Sequence, residues 1–277
     1  TGGYGASDTL LSDELASALY YGPSTSTGDG VIMATADGIN AATRLMEYGK
    51  RYPNGVEVSK GIAKSTIAGN ITGWTMSAIL VNAEGERVVN EKASNRTILE
   101  AELAQTGSEL FLLMDSETFN VWKTKLAAAG LTEETIDGYV AANGTTTPVF
   151  AHGDTLEEVA AAAGVNGENL VKTVERYNGF VAAGNDEDFG RSADYMTMAI
   201  GDGPYYLVEQ KPRFATTMGG LVVNASLQVE NTDGDVIPGL YAAGEVVGGV
   251  MGDDSPSGAN NGWALTAGKL AAEAIAE

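Results

Sequence analysis

The residues best suited to chemistry lie in the C-terminal segment, at the end of a predicted strand. That strand ends in Gly244-Glu245, and a glycine-rich loop then leads through residues 248–252 to Ser257-Gly258-Ala259-Asn260-Asn261 and a helix rich in alanine. Ligands of open α/β sheets bind past the carboxyl ends of strands, where glycine lets the backbone approach and helix N–H groups face an electron-rich oxygen. Glu245 can accept hydrogen bonds from sugar hydroxyls. The alternative, in which the glycines only permit tight turns, fits this loop equally well.

The elements that must position this loop follow a mixed α/β pattern. Apolar spacing predicts helices over residues 7–21, 31–46, 169–182 and 261–275, and hydroxyl residues suited to N-capping predict helices that begin near Thr118, Thr132 and Thr155. Short apolar runs predict strands over residues 77–82, 87–90, 110–114, 221–223, 227–229 and 240–243. The chain therefore has a helical middle, a strand-rich end and a final helix.

Composition excludes several classes of function. The 277 residues contain 16 Lys and Arg against 37 Asp and Glu, a net charge of −21, which argues against binding to nucleic acid or anionic lipid. Cysteine is absent, so disulfides and thiolate metal sites are excluded. No acidic spacing suits a metal, and no apolar run is long enough to span a membrane. The single histidine, His152, is predicted to lie in an exposed loop.

Four segments in order resemble the FAD-dependent flavoprotein family of fumarate reductases, succinate dehydrogenases and urocanate reductases, and most closely its soluble members. They are residues 1–5 (TGGYG), 78–91 (AILVNAEGERVVNE), 171–178 (VKTVERYN) with 186–191 (DEDFGR), and 217–221 (TMGGL) with 237–246 (IPGLYAAGEV). The resemblance implies a capping domain of mixed α+β structure together with part of an FAD-binding α/β domain.

The resemblance also implies a division of the chain. Residues 1–46 correspond to the tail of the first FAD-domain segment, 47–216 to the capping domain that contacts substrate, and 217–277 to the return into the FAD domain. No strand followed by G-x-G-x-x-G is present to hold a pyrophosphate. We therefore expect the chain to be the C-terminal part of a longer flavoenzyme, and to bind FAD weakly or not at all without the missing N-terminal segment.

The cofactor-binding residues implied by the resemblance come from both ends of the chain. Glu245 would reach the ribityl or ribose hydroxyls, and the helix start at Asn260 and Asn261 would face the O2 side of the isoalloxazine ring. The full set is Thr1, Gly2, Gly3, Gly244, Glu245, Gly258, Asn260 and Asn261.

The residues that would hold a dicarboxylate are replaced. Fumarate reductases use histidines and arginines, because charge-assisted pairs recognise carboxylates. The proton-donor arginine falls on Asn95, with Arg96 beside it; the two histidines fall on Tyr52 and Thr216, and the loop arginine falls on Ser255. These replacements imply a substrate other than fumarate, either neutral or mono-anionic.

Several of these residues have two interpretations. Arg96 either donates the proton or is a surface arginine, and Tyr52 is either an acid, a pocket wall or a packing residue. Trp74 falls on a position of the family's proton relay and either stacks on substrate or belongs to the core. Asp186, Asp188 and Arg191 look catalytic by type, but the resemblance makes them a structural turn.

The sequence thus predicts a flavin-dependent oxidoreductase that moves a hydride between FAD and the activated C=C or CH–CH bond of a small-molecule substrate, such as a conjugated enoate, a quinone-like ring or a steroid-like enone. An electron-donor protein or domain is a further possible partner. The alternative is a non-catalytic acidic binding or assembly domain, which the lost arginines and histidines favour. The sequence does not indicate whether the protein is located in the cytoplasm or in the bacterial cell envelope.

Overall fold

The computed structural model describes residues 2–276, and the chain divides into two compact units. The first comprises the residues up to Arg51 together with those from Phe214 onward, and the second is Tyr52–Arg213. The chain passes from the first unit to the second within one long strand, Gly49–Ser59, and returns within another, Tyr205–Thr217.

Helices and strands alternate along most of the described chain. The helices are α1 (Asp13–Ala16), α2 (Asp29–Thr35), α3 (Ile67–Gly73), α4 (Asn95–Leu103), α5 (Ser116–Lys123), α6 (Glu133–Ala142), α7 (Leu156–Ala163), α8 (Gly167–Ala183) and α9 (Ala259–Ala276). The strands are β1 (Leu19–Tyr20), β2 (Thr43–Arg44), β3 (Gly49–Ser59), β4 (Ile62–Ser65), β5 (Ile79–Val81), β6 (Leu110–Asp115), β7 (Phe150–Gly153), β8 (Tyr205–Thr217), β9 (Gly220–Leu221), β10 (Gln228–Glu230) and β11 (Val236–Tyr241). Mixed α/β structure is therefore confirmed.

The second unit is built on a sheet that is buried on both faces. Its strands run in the order β4-β3-β8-β6-β5, and β7 also pairs with β8. Successive residues of β6 pack in different apolar clusters. Leu112 packs in a cluster with Trp122, whereas Leu113 packs in a cluster with Val159 and Leu170. Because successive side chains of a strand point to opposite faces, α5 and the pair α7–α8 lie on opposite sides of the sheet.

The first unit has smaller sheets and cores. β2 pairs with β9 and β10 pairs with β11, both antiparallel. Apolar residues of α2 and of these strands pack around Val229 and Leu221, and one face of α9 covers Leu227 through Ala267 and Ala271. These contacts fix the start of α9 beside the segment that follows β11.

The cap predictions hold for two helices and fail for a third. Thr132 and Thr155 cap α6 and α7, each accepting a hydrogen bond from the backbone N–H three residues on. The helix predicted to begin near Thr118 begins instead at Ser116, because the Asp115 carboxylate accepts from the Thr118 N–H.

Three predicted elements are wrong. Residues 7–21 contain only α1 followed by β1, and residues 31–46 contain the end of α2 and the strand β2. The strand predicted over residues 87–90 is reduced to one bridge between Val81 and Arg87. Local apolar spacing predicted longer elements, but the backbone turns where it forms hydrogen bonds with distant parts of the chain. For example, the backbone N–H of Tyr21 donates to the carbonyl of Phe214 at 3.0 Å.

His152 lies in a strand and not in an exposed loop. It belongs to β7, pairs with Tyr206 of β8 and is half-buried, with its backbone N–H donated to Asn143. The prediction failed because residues 150–153 are too few to show a clear strand pattern. In the part of the chain that the structure describes, no helix has both the length and the apolar character needed to cross a membrane.

Candidate functional site

The glycine-rich segment of the first unit forms a cleft between the end of β11 and the start of α9. A short 3₁₀ turn, Gly244–Val246, follows β11. Gly244 and Gly258 have φ angles of 82° and 80°, the left-handed conformation that favours glycine. The two glycines therefore let the backbone turn sharply on either side of the loop that joins the strand to the helix.

The Glu245 carboxylate is held in a fixed position at this turn. Its Oε1 accepts hydrogen bonds from the backbone N–H of Thr217 at 3.0 Å and from the Thr217 hydroxyl at 3.4 Å. A carboxylate offers about four acceptor sites, so capacity remains for ligand hydroxyls. Gly3 is required beside it, because a Cβ at that position would lie 2.5 Å from Glu245 Oε1, and one at Gly2 would lie 3.0 Å from Glu245 Cβ.

The cleft brings together four of the eight predicted cofactor residues, Gly244, Glu245, Asn260 and Asn261, whereas Gly258 is not among its lining residues. Its volume is about 160 Å³, and its lining residues are Thr216, Thr217, Met218, Gly244, Glu245, Val247, Val250, Met251, Asn260, Asn261, Trp263 and Ala264. The Trp263 indole donates to the Gly244 carbonyl at 3.0 Å, which ties the first turn of α9 to the 3₁₀ turn. Thr1 lies outside the described residues.

The donor set of the cleft suits one part of a flavin nucleotide. Glu245 offers acceptors for sugar hydroxyls, and the N–H groups of Asn260 and Asn261, in the first turn of α9, have no carbonyl partner within their own helix. A volume of 160 Å³ is smaller than that of a typical ligand pocket, about 300 Å³ or more. The residues present therefore fit the sugar and ring-carbonyl end of FAD, but not the whole cofactor.

Ser255 contacts a cation that sequence reasoning missed. It is buried, with 5% exposure, and Lys50 Nζ donates both to its carbonyl and, at 3.2 Å, to its hydroxyl. The same ammonium lies 3.3 Å from Asp254 Oδ1. Lys50 and Ser255 are more than 200 positions apart in the sequence, so no local pattern could pair them.

Tyr52, in the second unit, lies against an arginine that the structure fixes firmly. The Arg213 guanidinium carbon is 4.9 Å from the centroid of the Tyr52 ring. Arg213 Nε donates to the carbonyl and the side-chain oxygen of Asn54, at 3.1 and 2.9 Å. A cation over the face of an aromatic ring is attracted to that ring electrostatically. The Tyr52 ring is therefore stabilised by a cation–π interaction as well as by packing.

The other predicted residues of the second unit are spread between its surface and its core. Asn95 and Arg96 begin α4 and are exposed, and Arg96 pairs with Glu100 at 3.3 Å. Trp74 ends α3 and is 5% exposed within the main apolar cluster, while its carbonyl accepts from Arg191 at 2.6 Å.

A fully buried ion network explains the acidic turn after α8. Arg87 donates to both Glu91 and Asp186, and Arg191 donates to Glu91 at 3.2 Å. Asp186 also accepts from three backbone N–H groups of its own turn, those of residues 188, 189 and 191. Burial raises the pKa of Asp186, but the hydrogen bonds and charge of Arg87, together with the backbone N–H groups of Arg191 and Phe189, outweigh it and leave that pKa below its usual value. The interpretation of this segment as a structural turn is confirmed.

Glu102 is a second feature that the sequence did not indicate. It lies on the buried face of α4 with 0% exposure, and among residues 2–276 neither of its carboxylate oxygens has a hydrogen-bond partner. Burial, and secondarily the charge of Glu109, raises the pKa of the Glu102 carboxyl well above its usual value, against the opposing effect of Arg213. A glutamate among the apolar residues of an amphipathic helix gives no signal of its own in the sequence.

Comparison with known proteins adds an independent observation. The family described as FAD binding domain matches residues 1–261. A fumarate reductase (cytochrome) of Shewanella frigidimarina is 34% identical over 251 residues, which cover 90% of this chain and 39% of the relative. An NADH:acrylate oxidoreductase of Vibrio harveyi is 33% identical over 199 residues, covering 72% of this chain and 18% of the relative.

The fold is also similar to a solved structure. The open conformation of a flavocytochrome c3 fumarate reductase superposes with a TM-score of 0.70 at 29% identity, over 99% of this chain and 44% of that one. The chain thus spans less than half the length of each of these relatives.

Proposed function

Because the chain belongs to the FAD binding domain family, we propose that it forms part of a flavin-dependent oxidoreductase acting on an activated C=C or CH–CH bond. The observation that carries the proposal is the cleft of the first unit, where Glu245, Asn260 and Asn261 meet at a strand end and a helix start. Bound FAD would supply the hydride donor or acceptor. Relatives whose names specify fumarate and acrylate support a substrate with a conjugated double bond.

In this proposal each part of the cleft has one task. Glu245 accepts hydrogen bonds from ribityl or ribose hydroxyls, and Thr217 keeps its carboxylate in place. Asn260, Asn261 and the N–H groups of the first turn of α9 stabilise negative charge on the O2 side of the ring. Gly2, Gly3, Gly244 and Gly258 let the backbone come close to the cofactor.

We assign residues 47–216 to the capping domain and the remainder to the FAD domain. The division into compact units at residues 51/52 and 213/214 lies within a few residues of these boundaries and supports the assignment. The capping domain then carries the proton donor. Tyr52 and Arg96 are the two candidates, because both present an N–H or O–H group and neither belongs to an apolar cluster of the described chain.

The substrate is proposed to carry at most one carboxylate. Thr216 lines the cleft and Ser255 lies in the loop before α9, and neither side chain is charged. A second carboxylate without a cationic partner would be costly to take out of water.

The experiment measures how fast a reduced flavin is reoxidised by different alkenes. The protein is expressed at the full length of its reading frame, loaded with FAD, reduced anaerobically, and mixed with fumarate, crotonate, methyl crotonate or cyclohexenone. We expect one of the last three to reoxidise the flavin at least tenfold faster than fumarate. Fumarate equal to the best of the panel would contradict the substrate assignment. If no alkene reacts, the acidic binding or assembly domain becomes the better explanation.

Two exposed arginines provide a matched pair for the proton donor. Arg96 and Arg176 lie on helices and each pairs with an acid, Glu100 and Asp188 respectively. If Arg96 donates the proton, Arg96→Gln slows reoxidation at unchanged flavin content, while Arg176→Gln does not. Equal rates for the two variants would leave Tyr52 as the donor, which Tyr52→Phe then tests.

A further inference from the structure

The loop that leads into α9 surrounds an inward-facing ammonium group. Lys50 extends from β3, and its side chain is only 13% exposed. Its Nζ donates to the Ser255 carbonyl and to the Ser255 hydroxyl, the latter at 3.2 Å. A largely buried ammonium requires a counter-charge, and here the Asp254 carboxylate supplies one at 3.3 Å.

The Asp254 carboxylate is the counter-ion of Lys50. Its Oδ1 accepts both from the ammonium of Lys50 at 3.3 Å and from the backbone N–H of Ser255 at 2.6 Å. The N–H contact is local, between adjacent residues, whereas the ammonium comes from a distant strand and is the group that an outside carboxylate can also use. The site is therefore built for an anion, and a residue of the loop fills it.

The two partners differ in how firmly they are held. The Lys50 side chain is 13% exposed, whereas the Asp254 side chain is 55% exposed. The exposed Asp254 carboxylate regains contact with water when it leaves, so an incoming carboxylate can replace it and keep the Lys50 ammonium paired. Gly252 and Gly258, with φ angles of 71° and 80°, bound the loop and permit the rearrangement.

The loop that carries Asp254 and Ser255 runs between two residues that line the cleft proposed for the flavin. Met251, four positions before Ser255, and Asn260, five positions after it, both line that cleft. In a chain with a net charge of −21, a substrate anion is repelled by most of the surface. The inward-facing ammonium of Lys50 supplies a local attraction for an anion in this loop.

We propose that Lys50 and Ser255 bind the single carboxylate of a mono-anionic substrate, and that Asp254 occupies this site in the absence of substrate. The proposal rests on the proposed function for the identity of the reaction. It makes Lys50 the residue that selects a conjugated mono-acid over a neutral enone.

The test measures the binding of an unreactive mono-acid, which needs neither reduction nor turnover. The full-length protein is titrated with sodium butyrate, and with butyramide as the neutral probe, at constant ionic strength. Binding is followed by calorimetry and by the shift of the Ser255 amide resonance. The variants are Lys50→Gln, Lys50→Arg and Asp254→Asn, and the control is Lys269→Gln, an exposed lysine of α9 paired with Glu273.

We expect Asp254→Asn to bind butyrate about three- to tenfold more tightly than the parent, because the competing carboxylate is gone. Lys50→Gln should lose at least tenfold, Lys50→Arg should retain binding, and Lys269→Gln should match the parent. Butyramide should bind none of them measurably. Circular dichroism shows whether Lys50→Gln remains folded, and Asp254→Asn keeps the test decisive if it does not.

Equal butyrate affinity in the parent and in Asp254→Asn would overturn the proposal, since Lys50 would then only fasten the loop. Equal binding of butyramide and butyrate would overturn it as well. The outcome is separable from the proposed function. If the protein binds butyrate but no alkene reoxidises its reduced flavin, the proposed reaction is refuted and the carboxylate site stands. If an alkene reoxidises the flavin rapidly but butyrate does not bind, the carboxylate site is refuted and the proposed reaction stands.

Discussion

Removing the charge of Glu91 should destabilise the second unit more than any surface change. Glu91 is fully buried and accepts four hydrogen bonds. Oε1 accepts from Leu80 N at 3.1 Å and Arg87 Nε at 3.0 Å, and Oε2 accepts from Arg87 Nη2 at 2.8 Å and Arg191 Nη1 at 3.2 Å. Glu91→Gln keeps the shape of the side chain but leaves two buried guanidinium groups with one carboxylate, Asp186, between them.

The size of the effect follows from the burial of the network. Breaking a buried ion pair by removing one partner costs about 3–5 kcal/mol, because an uncompensated charge stays in the interior. At about 1.4 kcal/mol per factor of ten, the unfolding equilibrium of the second unit should shift by roughly two to three and a half orders of magnitude. The exposed pair of Arg176 and Asp188 belongs to the same region, and Asp188→Asn should cost less than about 1 kcal/mol.

The assay is urea unfolding followed by tryptophan fluorescence. Trp74 and Trp122 lie in the second unit and Trp263 in the first, so a Trp263→Phe background makes the signal specific to the second unit. Glu91→Gln should lower the free energy of unfolding by at least 3 kcal/mol relative to that background. A loss below 1 kcal/mol, or an equal loss in Asp188→Asn, would refute the reasoning.

Three further changes have defined outcomes. Because the pKa of Glu102 is raised, the folded state keeps a proton that the unfolded chain releases above about pH 4.5, and the free energy of unfolding should fall as the pH rises beyond that value. Glu102→Gln should abolish this dependence on pH. If urea unfolding gave parallel pH profiles for the parent and for Glu102→Gln, the prediction would be wrong. Gly3→Ala places a Cβ 2.5 Å from Glu245 Oε1 and should lower the flavin-to-protein absorbance ratio of the purified full-length protein; an unchanged ratio would argue against this contact. Gly268→Ala, in α9 with nothing within 4 Å of the added Cβ, should stabilise by about 0.5–1 kcal/mol in thermal melts followed by circular dichroism, and a lower melting temperature would show a hidden clash.

Local signals predicted the elements whose causes are local. Thr132 and Thr155 cap helices because a hydroxyl accepts from the backbone N–H three residues on, and both precede acidic residues that favour the first turn of a helix. The apolar run at residues 110–114 forms β6 because a sheet covered on both faces needs side chains that are apolar on both. In each case the physical cause lies within a few residues of its effect.

The features that were missed depend on long-range contacts. Lys50 reaches Ser255 across 205 positions, and Glu245 is fixed by Thr217 only once the strand ends meet. The segment of residues 7–21 carries helical spacing, yet it turns after Ala16 because Tyr21 pairs with Phe214. The cluster of Glu245, Asn260 and Asn261 was predicted from glycine spacing and from the family resemblance, whereas the cation beside it had no signal that a single sequence carries.

The most direct test of the central claim, that the cleft of the first unit holds FAD, is the affinity of the full-length apoprotein for FAD with and without the Glu245 charge. Glu245→Gln keeps an acceptor for the Thr217 N–H but weakens the hydrogen bonds to cofactor hydroxyls, each worth about 1.5–3 kcal/mol when the acceptor is charged. Titration followed by quenching of flavin fluorescence should show at least a tenfold rise in Kd for Glu245→Gln, and none for the exposed control Glu273→Gln. Equal affinity of Glu245→Gln and the parent protein would show that the Glu245 carboxylate does not bind the cofactor.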